Sequence, residues 1–136
     1  MKELPLGPAP LRALVESRGG QKFLDQVLEK FYNRMSQDTM IGFFFTGRDL
    51  RAIAHKQRDF LMKAWGLSAE YTHRPPARAH EELPPILPGH FDRRLQILKE
   101  VLIDAGLNTS EIKAWIAFES SFRGVVINSS REEYSD

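Results

Sequence analysis

With no cysteine anywhere in its 136 residues, the chain must do any chemistry without a thiol, through groups such as imidazole, phenol, carboxamide, carboxylate or amine. The absence removes a thiolate nucleophile, a disulfide scaffold and any cysteine-held zinc or iron–sulfur site, and points an iron ion chiefly to imidazole or oxygen ligands. Four histidines are present. His55 follows the apolar Ile53 by two residues, about 200° around a helix, and is expected to face solvent. His73 stands in a loop beside Arg74 and Pro75, and His90 follows Pro88-Gly89 at a helix start, where a polar residue needs no special role. His80 differs. It is flanked by Ala77 and Ala79, with Arg78, Glu81 and Glu82 available for a wet side. Pattern alone leaves it open between an ordinary helix histidine and a metal ligand. Tyr32 and Gln57 each interrupt an apolar helical face, where a polar group is costly unless it finds a partner. Each either bonds the backbone or water, or the two converge on a polar ligand in a dry pocket. No His-Glu-x-x-His, carboxylate cluster, Ser/His/Asp set or glycine-rich phosphate loop offers rival chemistry.

The elements that must position these groups are helical, since apolar residues recur at three and four and alternation is nearly absent. A first helix is expected from Pro10 to about Ser17, broken by Gly19-Gly20, and a second from Gln21 to about Met35 with Phe23, Leu24, Val27, Leu28, Phe31, Tyr32 and Met35 on one stripe. Three successive phenylalanines, Phe43-Phe44-Phe45, do not fit one face of a helix and predict a tight corner turning two of them inward. Asp49 is placed to cap a third helix to about Trp65, with Leu50, Ile53, Gln57, Phe60, Leu61 and Ala64 inward. Prolines 75, 76, 84, 85 and 88 leave room only for a short helix from Pro76 to about Leu83. A longer helix is expected from His90 to Ala105, with Gly106 as its stop. Asn108-Thr109-Ser110-Glu111 forms a capping box for a last helix carrying Ile112, Trp115, Ile116, Phe118, Phe122, Val125 and Val126. The reading is all-α: one domain over 1–127 and a polar, frayed tail over 128–136.

Composition agrees with a globular domain: 42% apolar, 27% charged and a net charge of +1. That balance gives no field directed at nucleic acid or anionic lipid. No apolar run approaches the ~20 residues of a membrane span, and the start lacks the layout of a secretory signal. Cytoplasm is the expected location.

Taken in order, several short motifs resemble those of the truncated haemoglobins, over nearly the whole chain from Leu11 to Ile127. Arg18-Gly19-Gly20 resembles the glycine pair between the first two helices, and Phe31-Tyr32-Asn33-Arg34 the Phe-Tyr-x-Arg motif of the second. Phe44-Phe45-Thr46-Gly47-Arg48-Asp49-Leu50 is similar to the aromatic corner, and Lys56-Gln57 with Phe60-Leu61 to the core of the helix that follows. Gly66 to Tyr71 resembles the next turn, Ala79-His80-Glu81-Glu82-Leu83 the proximal segment, and His90-Phe91-Asp92-Arg93 the next long helix. The glycine pair and the tyrosine–glutamine set resemble the first subgroup, whereas Trp65-Gly66 and the proline-rich segment lean to the third. The first is the reading taken here. Three departures stand out: Gly66-Leu67 keeps one glycine of a usual pair, Pro84-Pro85 alter the loop after His80, and Arg94 occupies a position usually apolar or tryptophan. A buried arginine would need a partner, so Arg94 is expected to turn outward, or the register slips there.

The resemblance implies a two-over-two helical sandwich with a short proximal F helix and a non-covalent haem b whose iron is held by His80. It implies that Tyr32 and Gln57 donate hydrogen bonds to a bound diatomic ligand (O2, NO or CO), and that Phe31, Phe44, Phe45, Ile53, Phe60 and Leu61 line the pocket. Lys56 and Tyr71 resemble positions that reach the haem propionates; Lys56 is alternatively an iron ligand when no gas is bound. Two donors imply slow oxygen release, which suits nitric oxide dioxygenation with a separate reductase in a monomer or weak dimer. Two other readings stay open: a gas sensor or store without turnover, and a cofactor-free helical interaction domain.

Overall fold

The computed structural model describes residues 8–68 and 83–132. Among them the chain is helical and contains no strand. Helix α1 spans Pro8–Ser17 and α2 spans Gln21–Ser36. Between them Gly19 and Gly20 take φ of 118° and 69°, left-handed backbone that a side chain disfavours. A 3-10 turn over Gly42–Phe45 makes the expected corner: Phe44 is buried, Phe45 half-buried and Phe43 is exposed. Helix α3 covers Leu50–Ala64, and the Asp49 carboxylate accepts from the Ala52 amide at 3.1 Å, an N-cap legible from sequence.

Helix α4 covers Pro88–Asp104 and begins two residues before the expected start. Proline suits the first helical position because its missing N–H would be unpaired there. His90 also has a structural role that was not expected: its Nδ1 accepts the Leu87 amide at 3.0 Å and closes the first turn. Helix α5 covers Thr109–Ser120 with the expected capping box, Glu111 N–H donating to Asn108 Oδ1 and Asn108 N–H to Glu111 Oε1, both at 2.8 Å. The single last helix of the sequence reading is in fact two. At Ser121-Phe122 the amide of Phe122 donates to the Glu119 carbonyl, a tighter i−3 link, while the Ser121 hydroxyl donates to the Phe118 carbonyl at 2.6 Å. Helix α6 then covers Arg123–Glu132, carrying helical backbone past Ile127 into the segment expected as a tail. The short helix expected from Pro76 lies outside the described residues except for Leu83.

Helix α3 packs chiefly on α2, α4 packs on both α2 and α5, and α1 closes against α5. This is a pair of helices over a pair. The inward stripes make one core in which Leu24, Leu28, Phe31, Leu61, Leu98, Leu102, Trp65 and Trp115 are almost fully buried, each contributing about 1.5–3 kcal/mol of transfer free energy. Trp65 meets Trp115 edge to face, 5.1 Å between ring centroids, joining the end of α3 to α5. Neither indole N–H has a hydrogen-bond partner among the described residues.

The corner is held by one carboxylate. Asp38, just after α2, accepts the Met40 and Ile41 amides on Oδ2 at 3.0 and 3.1 Å. Its Oδ1 accepts Arg93 Nε and Nη2 from α4 at 2.9 and 2.7 Å. No helix among the described residues is long and apolar enough to cross a membrane.

Candidate functional site

Helix α2 places Phe31 and Tyr32 side by side at its buried end, 1% and 7% exposed. The two rings lie 5.2 Å apart, and Phe45 from the corner meets Tyr32 edge to face at 5.9 Å. A phenol thus sits in an aromatic wall built by α2 and the 3-10 turn. On α3, Ile53 and Gln57 are half-buried, Leu61 is fully buried, and Lys56 is exposed. Phe60 reaches across to Phe122 and Phe118, 5.5 and 6.2 Å between centroids. Phe44 is buried in a different grouping, stacked on Phe43 at 4.2 Å and edge-on to His90 at 5.2 Å. The structure therefore brings Phe31, Tyr32 and Phe45 together, and sets Phe60 in a second aromatic cluster toward α5. His80 and Tyr71 lie outside the described residues.

The Arg94 expectation is corrected. Arg94 does not turn away from the core; it is paired. Its Nη1 donates to Glu119 Oε1 at 2.7 Å, with side-chain exposures of 22% and 6%. The guanidinium carbon lies over the Phe31 ring, 5.0 Å from its centroid. Burial works against its charge, but the Glu119 carboxylate, paired with it, outweighs that and holds its pKa above the ordinary arginine range. Glu119 was missed by sequence reasoning, although a signal exists. It falls seven residues after Ile112, four after Trp115 and three after Ile116, on the buried stripe of α5, where a carboxylate calls for a cationic partner.

The arrangement can offer hydrogen-bond donors inside an apolar wall. Among the described residues no group of three histidine, aspartate or glutamate side chains converges to hold a metal ion.

Residues 13–128 match the family model of bacterial-like globins. The chain belongs to that family. Its relatives include a group 1 truncated haemoglobin of Chlamydomonas moewusii, 29% identical over 131 residues that cover 93% of this chain and 77% of that one. Another, from Mycolicibacterium paratuberculosis, is 33% identical over 102 residues, 73% of this chain and 74% of that one. The fold is that of the crystal structure of a 2/2 haemoglobin from Synechococcus sp. PCC 7002 in the cyanomet state with covalently attached haem, at a TM-score of 0.76 and 24% identity over 85% of this chain and 98% of that one.

Globin membership implies a haem site that binds diatomic gases, and the side chains of this globin fit one. Phe45, Ile53, Phe60, Leu95, Ile116 and Phe118 pack against the core yet stay half-exposed. Such a surface suits a flat apolar macrocycle, and Tyr32 on α2 and Gln57 on α3 are polar side chains within the buried or half-buried part of those helices.

Proposed function

We propose that the chain holds haem b non-covalently through His80 and binds O2, NO and CO beside Tyr32 and Gln57. The observation that carries this is a tyrosine, 7% exposed, set between Phe31 and Phe45 in a globin fold. When bound, haem supplies a ferrous iron with one position open to a diatomic gas. The chain's own residues do the rest. Phe31, Phe45, Ile53, Phe60 and Leu61 exclude water, and the Tyr32 hydroxyl and Gln57 amide donate to the ligand. Exposed Lys56, with Tyr71, pairs with the propionates at the rim. The Synechococcus neighbour carries covalently attached haem. Here the four histidines stand at 55, 73, 80 and 90, so α5 and α6 offer no imidazole for such a bond.

Two donors slow the escape of a polar ligand, which favours oxidation of nitric oxide to nitrate over bulk oxygen carriage; a separate reductase supplies the electron that resets the protein. The test is spectroscopic and kinetic. His80→Ala is expected to lose haem. Tyr32→Phe is expected to keep it and release oxygen about five- to a hundredfold faster, for a hydrogen bond of ~1–3 kcal/mol. A purified chain with no Soret band and no haem uptake, or unchanged release from both Tyr32→Phe and Gln57→Leu, overturns the reading. Stopped-flow mixing of the oxygenated protein with nitric oxide tests turnover, and absence of rapid nitrate formation leaves binding alone.

A further inference from the structure

One serine marks the place where the long last helix expected from sequence is cut. In an unbroken helix the Phe118 carbonyl would receive the Phe122 amide, four residues on. Here the Ser121 hydroxyl donates to that carbonyl at 2.6 Å and the Ser121 amide at 3.1 Å, while the Phe122 amide donates to Glu119 at 3.2 Å. Regular bonding resumes where the Val126 amide donates to the Phe122 carbonyl at 2.9 Å. The backbone is therefore soft at this joint. Gly124, just beyond it, adds freedom, and open space lies where a Cβ would stand.

What lies around the joint gives it a task. The Phe122 ring meets Phe60 of α3 at 5.5 Å and Phe118 of α5 at 5.3 Å, both edge to face. Phe60 and Phe118 belong to the half-exposed face suited to a macrocycle. The next residue, Arg123, pairs with Asp92 on α4 and lays its guanidinium carbon over the Phe91 ring, 5.6 Å from the centroid. These contacts pin the start of α6 to α4, against which α6 packs. The side chains of Arg123 and Asp92 are 40% and 60% exposed, so water and salt screen the pair. We propose that α6 is a strap beside the haem face, hinged at Ser121-Phe122 and clasped to α4 by Arg123, and that its opening sets how fast haem enters and leaves. This rests on the haem reading above and extends it. With the clasp made, Phe122 closes one edge of the face. With the clasp broken, the hinge lets Phe122 leave Phe60 and Phe118 and uncovers that edge.

The test reads two rates on the full chain as purified: hydrogen exchange of α6 peptides by mass spectrometry, and haem transfer to excess apomyoglobin. Asp92→Asn keeps the size of the side chain and loses its charge. It is expected to quicken both rates about two- to fivefold, as suits an exposed clasp, and to remove the quickening that added salt causes in the wild type. Ser121→Ala gives the Phe118 carbonyl back to the Phe122 amide and is expected to slow both. Both positions are exposed, and general loosening would move the two variants in the same direction, so opposite signs mark a strap. Exchange in α6 that ignores both substitutions, or that quickens in Ser121→Ala, overturns the hinge and clasp. Exchange that shifts as expected while haem transfer stays constant overturns the role toward haem. A chain that takes up no haem overturns the haem reading and that role with it, and the exchange rates still decide the hinge and clasp.

Discussion

Replacing Asp38 by alanine removes four hydrogen bonds from one carboxylate whose side chain is only 9% exposed. Two of them hold the Met40 and Ile41 amides in the manner of an N-cap, a contact whose loss costs about 0.5–2 kcal/mol. The pair with Arg93 adds less than its geometry suggests, because Arg93 is 38% exposed and water screens it. The Ile41 amide is then left partly buried without its acceptor, which adds to the penalty. The expected loss is about 1.5–3 kcal/mol in all. At roughly 3–4 °C per kcal/mol for a chain of this size, that lowers Tm by about 5–12 °C. Asp38→Asn keeps an oxygen for the two amides and loses only the charge, so it should fall nearer to wild type. The Arg93 guanidinium holds the Asp38 carboxyl below its usual range, burial opposes this, and the two amides add to the lowering. The folded pKa therefore lies below the unfolded value of about 3.9. Stability from this group is present above that value and lost as pH falls through the folded pKa, so the gap between wild type and Asp38→Ala should close in acid. Thermal melts and urea titrations at neutral and acid pH measure it. A neutral-pH loss under about 0.5 kcal/mol, the size of an ordinary surface substitution, or a gap that widens in acid, would refute the reasoning.

Other outcomes follow from the same contacts. Leu61→Ala, at a fully buried position on α3, should cost about 2–5 kcal/mol in urea titration, since the side chain leaves a cavity. Asn108→Ala removes the acceptor for the Glu111 amide at the start of α5 and should cost about 1 kcal/mol in urea titration, while the residue-108 amide and Arg18 still bond the Glu111 carboxylate. Gly20→Ala places a side chain at φ 69° with nothing within 4 Å to clash, so a melt should show a backbone penalty of about 1–2 kcal/mol without cavity or packing effects.

Much of the fold was legible because its signals are local. Asp49 and Asn108 announce helix starts through side chains that reach amides three residues on, and the stripe from Phe23 to Met35 states which side of α2 is buried. The three phenylalanines force a corner by geometry alone. What escaped the sequence depends on distances along the chain that no local rule spans. The Arg94–Glu119 pair links positions 25 residues apart on two helices, and whether Arg94 turns inward depends on the rotation of α4, which Phe91, Ile97 and Leu98 set by burial. The break at Ser121-Phe122 is equally hidden, because the apolar spacing runs through it unbroken. His90 was passed over for another reason: a histidine at a helix start resembles any polar residue until its Nδ1 is seen accepting an amide. Tyr32 and Gln57 were noticed as polar residues on apolar faces, and only Tyr32 proved to be deeply buried.

The edge-to-face tryptophans have an optical consequence. They are the only two indoles in the sequence, and both are shut away from solvent at one joint between α3 and α5. Indole emission from the haem-free chain is therefore a readout of a single place: it should start blue-shifted and move to the red when that joint admits water. Loosening confined to the corner around Asp38 would leave the signal silent. A melt followed by fluorescence and one followed by helical circular dichroism should consequently coincide only if the whole sandwich opens at once.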